Sequence, residues 1–539
     1  MSLPFAPTWL AGEQNARSLL PAAALDRPSR AQQVLKTAQR KADPAVLQAI
    51  ADLSAQLPPR PARDANLAAL QAGSAVAVVT GQQLGLFHGP LFTLHKAATA
   101  VAAARQLQAE TGVTAVPIFW LQGEDHDAAE IDHAWVPRPP GPPVKLHAPL
   151  AGPPRASVGA LQVSAEMPQI LDQLAELLRG LPHAPAVIEL LQRCWAPGQS
   201  LALAVARQMD ELLGDHGLLV LDPRHPAIRR AAIPLHRQAF IRVAELDQAL
   251  AERGQTLQDA GFAPQVQLRP GSPLSFVAPG GDGQPRFRLV PRGHDTWGLS
   301  GGDSHWQGTT QELLDTLENF PERWSSSALL RPLLQDLLLP TAFYIGGPAE
   351  IGYLAQIQPL YGLLGIEPSA AVLRAGFTWM EPWLLELLGQ RHLSIADLRD
   401  SDQAWRRLVG EQGEAEALEA AEQLRAQLWP VSPQDWQRLT APLTALDPSL
   451  ERSAQRAQLQ IAEILDKLTA KYSRATAARH LGDQAKLQRA QVLCWPAGQP
   501  QERFYSWPWF AARFGVERLS AAALAQPYAF SGAHRVEAL

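Results

Sequence analysis

Four consecutive ionisable residues, Glu124-Asp125-His126-Asp127, follow the apolar run Val116-Pro117-Ile118-Phe119-Trp120-Leu121 after only Gln122 and Gly123. Desolvation and mutual repulsion at such a place perturb protonation. The quartet could therefore bind a substrate amine, supply a general base through His126 or a carboxylate, or hold a divalent cation. A structural reading stands beside these, in which Asp127 caps the next helix and Glu130 occupies its first turn. His126, Glu130 and His133 also fall at i, i+4 and i+7, one face of a helix and a spacing compatible with zinc, although the His-Glu-x-x-His order is missing.

Two further segments carry chemistry. Thr80-Gly81-Gln82-Gln83-Leu84-Gly85-Leu86-Phe87-His88-Gly89-Pro90 combines three glycines with two carboxamides ahead of an alanine-rich stretch. Glycines allow close backbone approach, and the N–H groups of a following helix favour an anion, but the Lys-Ser/Thr ending of a P-loop is absent. A tight structural turn explains the same residues. The third segment runs from Ser325 through Arg331 to Thr341-Ala342-Phe343-Tyr344-Ile345-Gly346-Gly347-Pro348-Ala349-Glu350. Arg331 could neutralise a carboxylate or phosphate, or form a surface salt bridge. Glu350 suits the first turn of a helix on whose face Tyr353 and Gln356 continue.

These segments need a scaffold, and the hydrophobic pattern supplies one. Ala75 to Val79 and Val113 to Leu121 read as buried strands flanking a helix from Pro90 to Leu107, a βαβ unit with parallel strands. Both chemical loops then lie at the carboxyl ends of their strands, where open α/β sheets bind ligands. Further strands are expected at Gly217 to Asp222, Thr341 to Ile345 and Ala370 to Leu373, with helices at 31–72, 167–214, 226–254 and 349–364. Pro- and Gly-rich stretches near 133–165 and 262–305 read as insertions that leave the sheet, the second as short antiparallel strands. From about 380 the chain is mainly helical. Leu450, Ala454, Ala457, Ile461, Ile464, Leu468, Lys471, Ala475 and Ala478 alternate four and three residues apart, a heptad seam that suits either a helical hairpin on its own chain or a self-association arm.

Composition narrows the function classes. With 539 residues, 46% hydrophobic and 18% charged, the chain can bury a large pocket. A formal net charge of -5 gives no general basic field, which argues against nucleic acid as a partner. No window approaches a membrane span, and two distant cysteines, Cys194 and Cys494, fit a reducing compartment, so a cytoplasmic location is expected. Neither cysteine has a neighbourhood that suggests a catalytic thiolate.

Together, VVTGQQLGLFHGPLFTLHKA, VPIFWLQGEDHDAAEIDH, ERWSSSALLRPLLQDLLLPTAFYIGGPAEIGYLAQIQPLY and PQERFYSWPWFAARFG resemble the cysteine ligases of bacillithiol biosynthesis over nearly the whole chain. The resemblance implies addition of L-cysteine to glucosaminyl-malate, the last step of that synthesis. It also implies an α/β architecture: a Rossmann-type parallel sheet core with two connecting-peptide insertions and an appended α-helical coiled-coil domain used in homodimerisation. The corresponding regions are 1–379, with its N-terminal helices and insertions, 380–490 for the coiled coil, and 491–539 as a segment returning to the core. ATP or ADP is the implied cofactor; the resemblance leaves any metal open.

Joining the residue reading to the resemblance gives Asp125, His126 and Asp127 as catalytic candidates. Substrate contacts are expected from Thr80, Gly81, Gln82, Gln83, Glu124, Arg331, Tyr344, Gly346, Gly347 and Glu350, and nucleotide contacts from Gly85, His88, Gly89, Glu502 and Arg503. The chain departs from the family pattern at His88, where a small residue is usual, at Leu373-Arg374-Ala375-Gly376 in place of Pro-Arg-x-Ser, and at Pro500-Gln501-Glu502-Arg503 in place of Leu-Gln-Glu-Arg. Two other functions compete with the ligase: a metal-dependent amidohydrolase, and a non-catalytic nucleotide-binding scaffold.

Overall fold

The computed structural model describes residues 3–21, 26–301, 306–407, 414–525 and 529–539. Five parallel strands form its central sheet: β1 (Ala75–Gln82), β2 (Thr114–Leu121), β3 (Leu219–Leu221), β4 (Thr341–Gly346) and β5 (Ala370–Leu373). Their spatial order is β3-β2-β1-β4-β5. This is the doubly wound order, in which the chain grows outward from β1 first on one side and then on the other. The strands are almost wholly buried, as near-continuous apolar runs require when helices cover both faces of a sheet.

Helix α1 (Phe92–Thr111) packs across β1 and β2, and its alanines allow close approach. It ends at Gly112, whose φ of 73° suits a left-handed C-cap. Helix α2 (Arg331–Leu338) leads into β4, and helix α3 (Pro348–Leu364) leaves it with Pro348 at the first helical position. Three helices, Arg27–Thr37, Pro44–Ser54 and Pro61–Gln71, precede β1 and pack on the sheet.

Two segments form small antiparallel units apart from the central sheet. The first holds two short hairpins, His133–Val136 with Val144–His147 and Leu150–Ala151 with Gln162–Val163. The second is a five-stranded antiparallel sheet that runs to Trp324–Ser326, so it reaches about twenty residues beyond the expected end at 305 because its last strand pairs back with Ser275–Val277. Residues 302–305 of that insertion lie outside the described residues.

After β5 the chain enters strand Gly376–Met380 and then helices that include Glu414–Leu428, Pro433–Leu446 and the 45-residue α4 (Leu450–Cys494). The heptad seam lies on α4. Ala454, Ala457 and Ile461 are half-buried against the two preceding helices, whereas Ile464 and Leu468 are exposed; the side chains of Ala475 and Ala478 lie outside the described residues. The C-terminal residues then return, and His534–Ala538 pairs in parallel with Gly376–Met380. Among the described residues no helix is long and apolar enough to cross a membrane.

Candidate active site

All five strands of the sheet deliver residues to one cavity of about 420 Å³: Gln82 from β1, Gln122 and Glu124 just after β2, Pro223 after β3, Gly347 after β4 and Arg374 after β5. The strand order reverses between β2 and β4 on either side of β1, so adjacent connections leave on opposite faces and open a crevice there. Residues far apart in sequence meet in it because the topology leaves them no other edge.

On the β4 side the polar groups are paired. Lys96, in the first turns of α1, is 1% exposed and donates to Gly81 O, to Gln82 Oε1 at 3.1 Å and to Glu350 Oε2 at 2.6 Å. Glu350 also accepts from Tyr344 Oη at 2.5 Å and from the Gly347 amide at 2.7 Å, which caps α3. Burial pulls the Lys96 ammonium below its ordinary value against the opposing field of Glu350. Burial likewise pushes the Glu350 carboxyl up, but Lys96, Tyr344 and Gly347 outweigh it and hold it below the usual carboxylate range. Arg331 stacks 5.0 Å from the Tyr344 ring centroid and donates to Gln335 and Tyr353.

Arg374 is positioned from the C-terminal segment. Glu502 takes it in two hydrogen bonds of 2.8 and 2.7 Å and also accepts from His95 Nδ1 at 2.9 Å and from the Phe377 amide at 3.1 Å. Burial raises the Glu502 carboxyl, yet these partners more than compensate and hold it far below its ordinary value. Glu502 therefore supports the cavity wall without lining it, while the neighbouring exposed Arg503 does line it.

On the β2 side Glu124 is buried and committed to Arg229 and, at 3.3 Å, to the Ser326 amide. Asp125 accepts from Gln83 Nε2 at 2.7 Å and from the His126 amide at 2.7 Å. Burial pushes its carboxyl up, but these bonds and the Arg286 charge bring it below the usual value. His126 sits beside it with Nδ1 3.6 Å from Asp125 Oδ1. Burial and then the charge of Arg286 lower the His126 pKa, so the ring is neutral at neutral pH.

The sequence candidates thus separate. Gln82, Glu124, Asp125, His126, Arg331, Gly347, Glu350 and Arg503 line the cavity. Thr80 is spent on Ile345 O at 2.8 Å, Gly81 and Tyr344 hold the Lys96–Glu350 pair, Gly346 O accepts from the Arg374 amide, and Gln83 braces Asp125. Asp127 is exposed outside the cavity and caps the turn Ala128–Glu130 through the Ala129 amide at 3.1 Å, the structural reading of that residue.

The nucleotide candidates Gly85, His88 and Gly89 also stand apart from the cavity. A β-carbon on Gly85 would lie 2.8 Å from Gly89, and the amides of Leu86, Gly89 and Leu91 are used by Ile131, Leu86 and Tyr505, which leaves this turn few free donors for a phosphate. His88, with φ of 68°, is buried against Val205 O at 3.1 Å. The zinc set is corrected as well: Ala128–Glu130 is a single 3-10 turn and His133 begins a strand, so no helix brings His126, Glu130 and His133 to one face. Among the described residues no three His, Cys, Asp or Glu side chains group as metal ligands. Burial pushes the thiols of Cys194 and Cys494 up to about 12, consistent with packing residues.

Lys96, Arg286 and Arg374 are absent from the sequence candidates. A signal for Lys96 exists: His95 and Lys96 are polar residues in the alanine-rich first half of a helix that is buried from Thr93 to Ala104, and such residues are buried with a partner or a task.

Fold and site together define a doubly wound α/β protein with a cation-rich candidate site at the switch point of its sheet. The family described as "Bacillithiol biosynthesis BshC, N-terminal Rossmann-like domain" matches residues 4–375, and its partner description, "C-terminal coiled-coil domain", matches 377–538. The chain belongs to this BshC family. It is 32% identical over 473 residues to a protein of Koribacter versatilis, covering 88% of this chain and 86% of that one. To a protein of Solibacter usitatus it is 34% identical over 475 residues, covering 87% and 85%. A Salinibacter ruber relative is 30% identical over 479 residues, covering 88% and 86%. All three bear the name "Putative cysteine ligase BshC".

Two outcomes follow. Replacing Lys96 by Met strands Glu350 in a buried place and should cost about 3–5 kcal/mol in urea denaturation, with much of the loss recovered when Glu350→Gln is added. Burial lowers the His88 pKa from 6.5 to about 4, so the unfolded chain binds the extra proton first as pH falls between those values. That site alone should remove on the order of 3 kcal/mol of stability across the window. His88→Asn, which tolerates the positive φ, should show a flatter loss in melting experiments over the same range.

Proposed function

We propose that this protein joins the carboxylate of L-cysteine to the amine of glucosaminyl-malate, forming the amide of bacillithiol, with ATP as co-reactant. The observation that carries the reading is the meeting of Lys96, Arg286, Arg331, Arg374 and Arg503 with a neutral His126 in one cavity at the sheet's switch point. The cationic side chains suit reactants rich in carboxylate and phosphate. The name carried by the relatives supplies the cysteine.

An ammonium and a carboxylate in water form a salt rather than an amide. ATP supplies the missing activation when bound, since one carboxylate oxygen leaves attached to phosphorus. Arg331, Arg374 and Arg503 are the cavity residues suited to hold its phosphates. The sugar ammonium must lose one proton before it attacks and a second as the amide forms. His126 is placed to take the first, because burial and Arg286 keep its ring neutral, and Asp125 at 3.6 Å favours the resulting charge. The antiparallel insertion contributes Phe276, Arg286 and Ser326 to the wall and so limits water at the activated carbonyl.

We read the helical arm as a homodimer surface. Leu439, Leu443, Leu446, Leu459, Ile464 and Leu468 are 46 to 82% exposed on it, an apolar display that suits a second copy. The buried free thiols and the biosynthetic role of the family fit a cytoplasmic location.

Incubating the full chain with cysteine, glucosaminyl-malate, ATP and magnesium should yield bacillithiol by mass spectrometry, and His126→Gln should reduce the rate by about 100-fold or more. A folded protein that binds nucleotide without turnover would instead be a scaffold, and chelator-sensitive hydrolysis of an amide would mark an amidohydrolase. Ile464→Asp with Leu468→Asp should lower the mass seen by light scattering from dimer to monomer; an unchanged mass would remove the arm from the interface.

A further inference from the structure

Buried polar atoms ordinarily find partners. Four side chains on one wall of the cavity have buried atoms without any: Trp120 Nε1, His126 Nδ1, Arg286 Nε and Nη1, and Ser326 Oγ. They arrive from β2, from the loop after it, and from two parts of the antiparallel insertion. Every one of these groups can donate a hydrogen bond. The nearby acceptors are occupied: Glu124 by Arg229 and the Ser326 amide, Asp125 by Gln83 and the His126 amide.

Arg286 is the strongest of the four. It is 4% exposed, with its guanidinium carbon 4.1 Å from the Phe276 ring centroid, so stacking fixes the plane of the group and leaves donors unused. Among the described residues no carboxylate lies within 4 Å of it. Burial pushes its pKa down to about 10, which still leaves it cationic at neutral pH. A buried cation surrounded by idle donors is costly for folding, and that cost is relieved when a ligand brings negative oxygens.

We propose that Arg286, with His126, Ser326 and Trp120, forms an oxyanion subsite on the β2 side of the cavity that takes a carboxylate or phosphoryl group of a bound reactant. The identity of the reactants rests on the ligase reading, in which both the malyl group and the nucleotide present such oxygens. The subsite is distinct from the β4 side, where Lys96 is already matched by Glu350. His126 serves both halves of the chemistry in one tautomer: Nδ1–H donates to the oxyanion while Nε2 remains a proton acceptor.

Calorimetric titration of the full chain with L-malate and, separately, with inorganic phosphate tests the subsite without cysteine or sugar, so failure of amide synthesis leaves it untouched. The wild type should bind at least one probe, and Arg286→Met should weaken that probe by about tenfold or more. Loss for malate alone identifies a carboxylate subsite, loss for phosphate alone a phosphoryl subsite, and loss for both the shared oxyanion. Arg286→Met should melt no lower than the wild type without ligand, because it removes an unmatched buried cation. Arg286→Lys, which keeps the charge and moves the donors, should fall between the two in affinity and guards against a folding defect in the methionine variant. Equal affinity in all three proteins, or no binding of either probe by the wild type, would overturn the proposal.

Discussion

The buried pair of Lys96 and Glu350 is the interaction on which the site depends. Lys96 reaches from α1 to the end of β1, and Glu350 reaches from the start of α3 to the same point, so the pair ties together the elements that diverge at the switch point. Desolvating two charges is expensive, and their mutual attraction offsets it only when the remaining hydrogen-bonding capacity is used. Here it is: Gly81 O and Gln82 serve the ammonium, and Tyr344 Oη and the Gly347 amide serve the carboxylate. Glu350 is thereby a helix cap and an ionic partner at once, which fixes α3 relative to the sheet before any ligand arrives.

A second constraint comes from distance along the chain. Glu502 stands 128 residues from Arg374, and both belong to one buried cluster with His95. Arg286 belongs to an insertion, Arg374 follows the last strand, and Arg503 lies beyond the helical arm. The cavity is complete only when the insertion has formed and the C-terminal segment has returned to lie beside Gly376–Met380. Such contacts close long loops, and local propensity does little to favour them. The two tryptophans at that return, Trp379 and Trp507, are each 1% exposed, so apolar burial supports a junction that carries a charged cluster.

How much of this is legible in sequence follows from whether the information is local. The strands β1 and β2 are short apolar runs bounded by turns, and the polar loops after them must share a sheet edge if the connection is a right-handed crossover. That places Gln82, Asp125 and His126 near one another without any structure. Glu350 is readable too, since a carboxylate three residues after a glycine that opens a helix has a capping role. Lys96 is harder, because the alanine-rich helix around it gives no amphipathic face from which its direction could be judged. Arg286 is out of reach: its pattern Gln284-Pro285-Arg286-Phe287 is that of any surface turn, and pairing of Phe276 with Arg288, together with the bond from the Arg286 amide to Arg155 O, carries it into the cavity. The zinc spacing fails for a related reason, since the i, i+4, i+7 positions span a segment that makes one short turn and then extends.

The two sides of the cavity differ in how far they are satisfied, and the difference bears on catalysis. On the β4 side Lys96 and Glu350 satisfy each other, so the geometry is fixed in advance and a ligand gains orientation without reorganising the protein. On the β2 side the donors are fixed in place by Phe276, by the Glu124 network and by strand pairing, yet several have nothing to bind. A rigid wall with unused donors is the condition under which binding energy is concentrated on the reacting groups, because water that might satisfy those donors is limited by the burial of every residue that carries them except His126. His126 lies at this border, half-buried between Asp125 and Arg286, and receives opposing fields from the two. A negative group bound at Arg286 would mask the cation and raise the proton affinity of the imidazole. Arrival of the anionic reactant would then strengthen the base at the moment an ammonium has to be deprotonated.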